Sequence, residues 1–217
     1  MRIKGVIFDL DGTLLDTLQD LATAVNHALT QMGFPVHPLE AFRRFIGDGS
    51  RQLVTRALPP HARTAETVTE CLQTYRRYYD RHWHDQTRPY PGITVLLHTL
   101  QAMDLSLAVL TNKPHDLAVQ CIAYFFPATP FHTVIGQREG CPIKPDPQAA
   151  LTAARQLQVG PASCLLLGDS GVDMAAARAA GMGPIGALWG FRARAELEQA
   201  GARTCLQAPQ ELLAWLD

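Results

Sequence analysis

The sequence predicts an α/β fold, a parallel sheet with helices on both faces, interrupted once by an all-helical insertion. Three observations predict it. Short apolar runs bounded by Gly, Pro, Asp or Asn recur along the chain. Helical periodicity fills the gaps between them, and such alternation favours a parallel sheet covered on both sides. From about residue 17 to residue 87 the apolar runs cease and only helical patterns remain.

The first strand is predicted over Ile3–Phe8. The insertion then reads as helices in "DTLQDLATAVNHALTQMG", with Gly33 as C-terminal cap, in "HPLEAFRRFIG", in "SRQLVTRAL" and in "TAETVTECLQTYRRYYDRHW". "PYPG" at 89–92 is a turn that returns the chain to the sheet. Strands follow at 105–110, 134–136, 164–167 and 185–188, with helices at 93–102, 115–124, 147–157 and 173–180. Residues 1–16 and 88–217 are thus predicted to form the sheet domain, and 17–87 a helical domain inserted into it.

Composition narrows the function classes. At 217 residues and 47% hydrophobic, the chain can bury a substantial core. A formal charge of −1 gives no electrostatic reason to expect nucleic acid or an anionic membrane. Asp9 and Asp11 interrupt the only N-terminal apolar run, so no secretory signal is expected, and no stretch approaches the roughly 20 apolar residues of a membrane span. Five scattered cysteines without a CxxC pair fit reduced thiols in a cytoplasmic protein.

The chemistry lies at the strand ends. After the first strand come Asp9, Asp11, Gly12 and Thr13; after the second, Thr111, Asn112 and Lys113; after "CLLLG", Asp169, Ser170 and Asp173. Lys144 sits in "IKPDP", ahead of a helix. In a parallel sheet these ends meet at one edge, where α/β proteins bind ligands. Carboxylates there suit Mg²⁺, which takes oxygen ligands and usually only one or two carboxylates besides water and phosphate. Asp9 and Asp169 fit that role, with the Asp11 main-chain carbonyl as a third ligand. The hydroxyl, amide and lysine groups are suited to phosphoryl oxygens. Asp9 can attack phosphorus, and Asp11, two residues on along an extended chain, can handle the proton.

On "DLDGT" (9–13), "LTNK" (110–113), "KPDP" (144–147) and "GDSGVD" (168–173), the sequence resembles the haloacid dehalogenase superfamily, in its phosphoglycolate phosphatase-like branch. The resemblance spans essentially the whole chain. It implies a Rossmann-like core with a helical cap, and a Mg²⁺-dependent phosphatase acting through an aspartyl-phosphate. It implies Asp9 as nucleophile, Asp11 as general acid/base, Thr111 and Asn112 on phosphate, and Lys144 balancing charge. Asp169 would hold Mg²⁺ together with Asp9 and Asp11, supported by Ser170 and Asp173. "FIGDGSRQLVTRAL" (45–58) resembles the cap segment of that branch, which makes Gly47 and Arg51 candidate substrate contacts beside Lys113. "LWGF" (188–191) is a further similarity.

Asp11 separates this chain from dehalogenases and phosphonatases, which lack an aspartate there. It leaves open a β-phosphoglucomutase-like phosphotransferase. The expected partner is a small phosphorylated metabolite: 2-phosphoglycolate first, with sugar phosphates, nucleotides or pyrophosphate as alternatives, on a monomer or homodimer. A non-catalytic binding protein on the same scaffold would be expected to have lost one of the acids, and none is missing. "GMGPIG" (181–186) matches GxGxxG but follows a helix and leads into a strand, so it reads as a helix-end turn. "GDSG" (168–171) lacks the all-β context of a serine protease. His82 and His84 lie two apart on a helix, about 200° around its axis, and do not share a face for a metal.

Overall fold

The computed structural model describes residues 2–216. In chain order the elements are β1 (Gly5–Phe8), β2 (Leu15–Asp16), α1 (Leu18–Gln31), α2 (Leu39–Phe45), α3 (Gly49–Ala57), α4 (Ala65–His82), β3 (Arg88–Pro89), α5 (Ile93–Ala102), β4 (Ser106–Pro114), α6 (His115–Phe125), β5 (Thr133–Gln137), α7 (Gln148–Gln156), β6 (Cys164–Gly168), α8 (Gly171–Ala179), β7 (Gly183–Ala187), α9 (Arg194–Gln199) and β8 (Thr204–Leu206). They form two compact units, one of residues up to Leu15 and from Pro89 onward, the other of Asp16–Arg88.

In the first unit six strands make one sheet in the order β5-β4-β1-β6-β7-β8. All neighbouring pairs in it are parallel. Val6, Ile7 and Phe8 are fully buried, as expected of a central strand covered on both faces, which is why β1 reads as an apolar run rather than an alternating one. Ile7, Ala108, Leu110 and Leu166 pack with Ala150, Ala153 and Ala154 of α7 and Ala177 of α8. Small helix side chains let the helices approach the sheet closely. Each buried Leu, Ile or Phe contributes about 1.5–3 kcal/mol by leaving water.

The second unit is helical. α1 buries Leu18, Leu21, Ala22, Val25 and Leu29, and α4 buries Val68, Cys71, Leu72, Tyr75 and Tyr79. These two apolar stripes pack on each other. α1 stops at the predicted glycine: Gly33 takes φ 73°, and the Phe34 N–H donates to the Leu29 carbonyl at 2.9 Å. Thr64 caps α4 by accepting from the Thr67 N–H at 3.2 Å. His82 is not a bare surface group. It stacks on Tyr78 and pairs with Asp85 at 2.8 Å.

The structure departs from sequence expectation in several places, among them the two-residue β2 and β3, which had no expectation attached to them. β4 runs on past Leu110 to Pro114, with a break in its register against β5 between those residues, so Thr111, Asn112 and Lys113 lie on the strand's irregular extension rather than on a loop. The cause is local, because a residue before proline is pushed out of the helical region and Lys113 precedes Pro114. β7 starts at Gly183 rather than 185. α9 and β8, of six and three residues, had no expectation attached to them. "GMGPIG" behaves as expected, with Gly181 at φ 72° just after α8 and β7 following.

Candidate active site

Register brings the site together. Phe8 stands level with Val109 on one side and Leu167 on the other, so the three strands end at one edge. The Asp9 N–H continues the ladder by donating to the Leu167 carbonyl at 2.9 Å. The chain then turns at Gly12, whose φ of 88° favours glycine. A side chain there would also collide with the Asp169 carboxylate.

Lys144, 2% exposed, is the centre of the charge network. Its Nζ lies 2.8 Å from Asp9 Oδ1 and 2.6 Å from Asp173 Oδ1, and donates to the Leu110 carbonyl at 2.9 Å. That uses the three hydrogens of an ammonium. Asp173 also accepts from the Ser170 N–H and hydroxyl through Oδ2. It reaches them because Gly168 has no side chain; a Cβ there would meet the Asp173 carboxylate. Asn112 fixes the segment that carries Lys144: its Oδ1 accepts the Lys144 N–H at 2.9 Å and its Nδ2 donates to the Lys144 carbonyl at 3.1 Å.

A second lysine serves the second aspartate. Lys113 Nζ contacts both oxygens of Asp11, at 2.9 and 3.2 Å. Asp169 is held by two segments. Thr13 Oγ1 donates to Oδ1 at 3.3 Å, and the Phe191 N–H donates to Oδ2 at 2.7 Å. Gly190 lies so close that a Cβ would strike the Asp169 side chain and the Gly12 carbonyl.

Two ammonium groups therefore contact three of the four carboxylates, those of Asp9, Asp11 and Asp173, and one oxygen each of Asp9, Asp169 and Asp173 lies within 4.8 Å of the others. Burial pushes Asp9 up to about 7, against the pull of Lys144 and with the repulsion of Asp173 and Asp11 added. Burial first, then repulsion from Asp9 and Asp173, raises Asp169 well above the usual carboxylate range. Lys144 stays an ammonium despite burial because Asp173 and Asp9 flank it. An all-oxygen cluster with more negative than positive charge fits a hard divalent cation such as Mg²⁺. Asp9 and Asp169 are the donors with capacity for it, since Asp173 is engaged by Lys144 and Ser170.

Asp9, Asp11, Thr111, Asn112, Lys113, Lys144, Asp169, Ser170 and Asp173 thus all lie in the first unit, at or just beyond the strand ends. Gly47 and Arg51 belong to the helical unit: Gly47, at φ 125°, lies between α2 and α3, and Arg51 is exposed on α3. Two contacts differ from the expectations attached to them. Asn112 is engaged with the Lys144 main chain, and Lys113, expected on substrate, is buried on Asp11. Sequence reasoning missed Thr13, Gly190 and the Phe191 amide as supports of Asp169. The "LWGF" similarity was the available signal; Trp189 Nε1 from the same segment donates to the Thr13 carbonyl at 3.0 Å.

The model of the haloacid dehalogenase-like hydrolase family matches residues 6–187. A phosphoglycolate phosphatase of Nitrosospira multiformis is 37% identical over 83% of this chain and 81% of its own length. One from Psychrobacter arcticus is 33% identical over 89% and 87%. A crystal structure of a predicted phosphoglycolate phosphatase from Haemophilus somnus superposes with a TM-score of 0.90 at 26% identity, covering 100% of this chain and 99% of that one. The chain belongs to the haloacid dehalogenase-like hydrolase family.

Proposed function

We propose that this protein is a Mg²⁺-dependent phosphomonoesterase that forms an aspartyl-phosphate on Asp9, with 2-phosphoglycolate as its first-choice substrate. The observation that carries the reading is the Asp9 carboxylate at the end of β1, paired with Lys144 at 2.8 Å and clustered with Asp169 and Asp173. The substrate is proposed from the names of the relatives.

Asp9 bonds to phosphorus as the bond to the leaving oxygen breaks, and Asp11 gives the leaving alkoxide its proton. Water then attacks phosphorus, Asp11 takes a proton from it, and Asp9 is released as a carboxylate. Thr111 Oγ1 accepts from the Lys113 N–H at 3.2 Å and keeps its own proton for a phosphoryl oxygen. Lys144 holds Asp9 in place and offsets the charge that the phosphoryl group brings. Asp9, Asp169 and the Asp11 carbonyl would hold Mg²⁺, which would supply charge neutralisation at the phosphoryl oxygens.

The helical unit acts as the cap that selects the leaving group, with Gly47 and Arg51 as its candidate contacts. A cytoplasmic setting fits the five unpaired cysteines, and among the described residues no helix is long and apolar enough to cross a membrane. The test is a comparison of kcat/KM, with Mg²⁺, for 2-phosphoglycolate, hexose phosphates, nucleotides and pyrophosphate. Phosphate release fastest from 2-phosphoglycolate supports the reading. Transfer of the phosphoryl group to a sugar hydroxyl would replace it with a phosphomutase.

A further inference from the structure

The two lysines of the site are not equivalent. Lys144 is used up on Asp9, Asp173 and the Leu110 carbonyl, so it has no hydrogen for Asp11. Asp11 is served instead by Lys113, from another strand and 102 residues away. Lys113 is 5% exposed, which removes it from the solvated-loop role open to a lysine in a turn.

Its position is over-determined. Pro114 keeps Lys113 extended. The Lys113 N–H is tied to Thr111 Oγ1 at 3.2 Å. Gly136 lies so near the Lys113 carbonyl and the His115 backbone that any side chain there would displace them. The ammonium is thus delivered to one place, against both oxygens of Asp11, at 2.9 and 3.2 Å. Contact with both oxygens turns the open side of the carboxylate toward the ammonium, which contact with one oxygen does not.

Resting on the phosphatase reading above, we propose that Lys113 is a positioning residue for the second half of the reaction. It holds the Asp11 carboxylate in the orientation from which it takes the proton of the water attacking phosphorylated Asp9. In that step the water oxygen bonds to phosphorus, one water proton passes to Asp11, and the Asp9–phosphorus bond breaks with its electron pair returning to Asp9. Lys113 does not contact the substrate, in contrast to what its place in "LTNK" suggests.

The test is steady-state and pre-steady-state hydrolysis of p-nitrophenyl phosphate with Mg²⁺ by the unaltered protein, Lys113→Met and Lys113→Arg. p-Nitrophenolate leaves without a proton, so kcat/KM reports a step that Asp11 does not limit, whereas kcat reports breakdown of the phosphoenzyme. Lys113→Met is expected to lower kcat by about tenfold or more, in the range of a misplaced general base. KM should fall in parallel, kcat/KM should stay within about twofold, and a burst of p-nitrophenol should appear. Lys113→Arg, which keeps a cation able to reach both carboxylate oxygens, should recover part of the kcat that Lys113→Met loses. A KM that rises would mean substrate contact and would overturn the proposal. So would a kcat/KM that falls as far as kcat, or a kcat that does not change. If the methionine variant does not fold, the same split is read between Lys113→Arg and Lys113→Gln. A lack of turnover and of phosphoenzyme in the unaltered protein would instead remove the phosphatase reading itself, and this proposal with it.

Discussion

Asn112 and Lys144 exchange two hydrogen bonds, the Asn112 amide accepting the Lys144 N–H at 2.9 Å and donating to the Lys144 carbonyl at 3.1 Å. The side chain of one strand extension thereby sets the main chain of the segment that presents Lys144. Asn112→Ala leaves a buried N–H and a buried carbonyl unpaired, at about 1–3 kcal/mol each. The variant should lose about 2 kcal/mol or more in urea unfolding, and its kcat should fall as Lys144 drifts from Asp9. Asn112→Asp, which keeps only the acceptor, should lie between the two. Unfolding and turnover that match the unaltered protein would show that the Lys144 segment is held by something else.

Asp20 makes the corresponding contact inside the helical unit. Its carboxylate, 4% exposed, accepts from the Gln86 N–H at 3.0 Å, the Thr87 N–H at 2.8 Å and the Thr87 hydroxyl at 2.7 Å. It ties the start of α1 to the segment after α4. Hydrogen bonds to a charged group are worth about 1.5–3 kcal/mol. Asp20→Ala should therefore destabilise by about that much or more, and Thr87→Val, which removes one donor, by about 1 kcal/mol. Protease cleavage around residues 84–88 should rise in Asp20→Ala; unchanged unfolding and cleavage would show the clamp to be unimportant.

Much of this was legible in the sequence, and the parts that were not share a cause. Asp9 and Asp169 stand out because each ends an apolar run that cannot otherwise tolerate a charge. The buried parallel strands stand out because both faces are covered. Nothing local in "TNK" says that Lys113 will meet Asp11 rather than a ligand, since pairing over 102 residues is settled by strand order. The support of Asp169 by the Phe191 amide is a main-chain contact and has no side-chain signature. β8, with three residues, and α9, with six, are too short for periodicity to register.

Gly190 provides a way to disturb the cation site without removing a carboxylate. A methyl group there would meet Asp169 and the Gly12 carbonyl, so Gly190→Ala should push Asp169 out of place. Mg²⁺ at a hundredfold excess over its Kd should stabilise the unaltered protein by about 2.7 kcal/mol, read as a rise in melting temperature. That rise should shrink or vanish in Gly190→Ala and in Asp169→Asn. An undiminished Mg²⁺-dependent rise in Asp169→Asn would place the ion elsewhere.

The cysteines should react in a defined order. Burial pushes Cys71 and Cys164 up to about 11 and Cys121 up to about 12, so their thiolate fractions near neutral pH are negligible. Cys141 is exposed and should be the site of fastest alkylation. Iodoacetamide at pH 7.5 should label Cys141 alone in the folded protein and all five after denaturation. Rapid labelling of Cys121 in the native state would contradict its burial on α6.

The central claim is that Asp9 carries the phosphoryl group, and rapid acid quench of the Mg²⁺-loaded enzyme with labelled phosphomonoester tests it most directly. The account predicts covalent label on the peptide containing Asp9, sensitive to hydroxylamine as an acyl phosphate is. It also predicts no label and no turnover in Asp9→Asn, whose fold and melting should remain intact. Turnover at a near-normal rate in Asp9→Asn, or label recovered on a different residue of the unaltered protein, would contradict it.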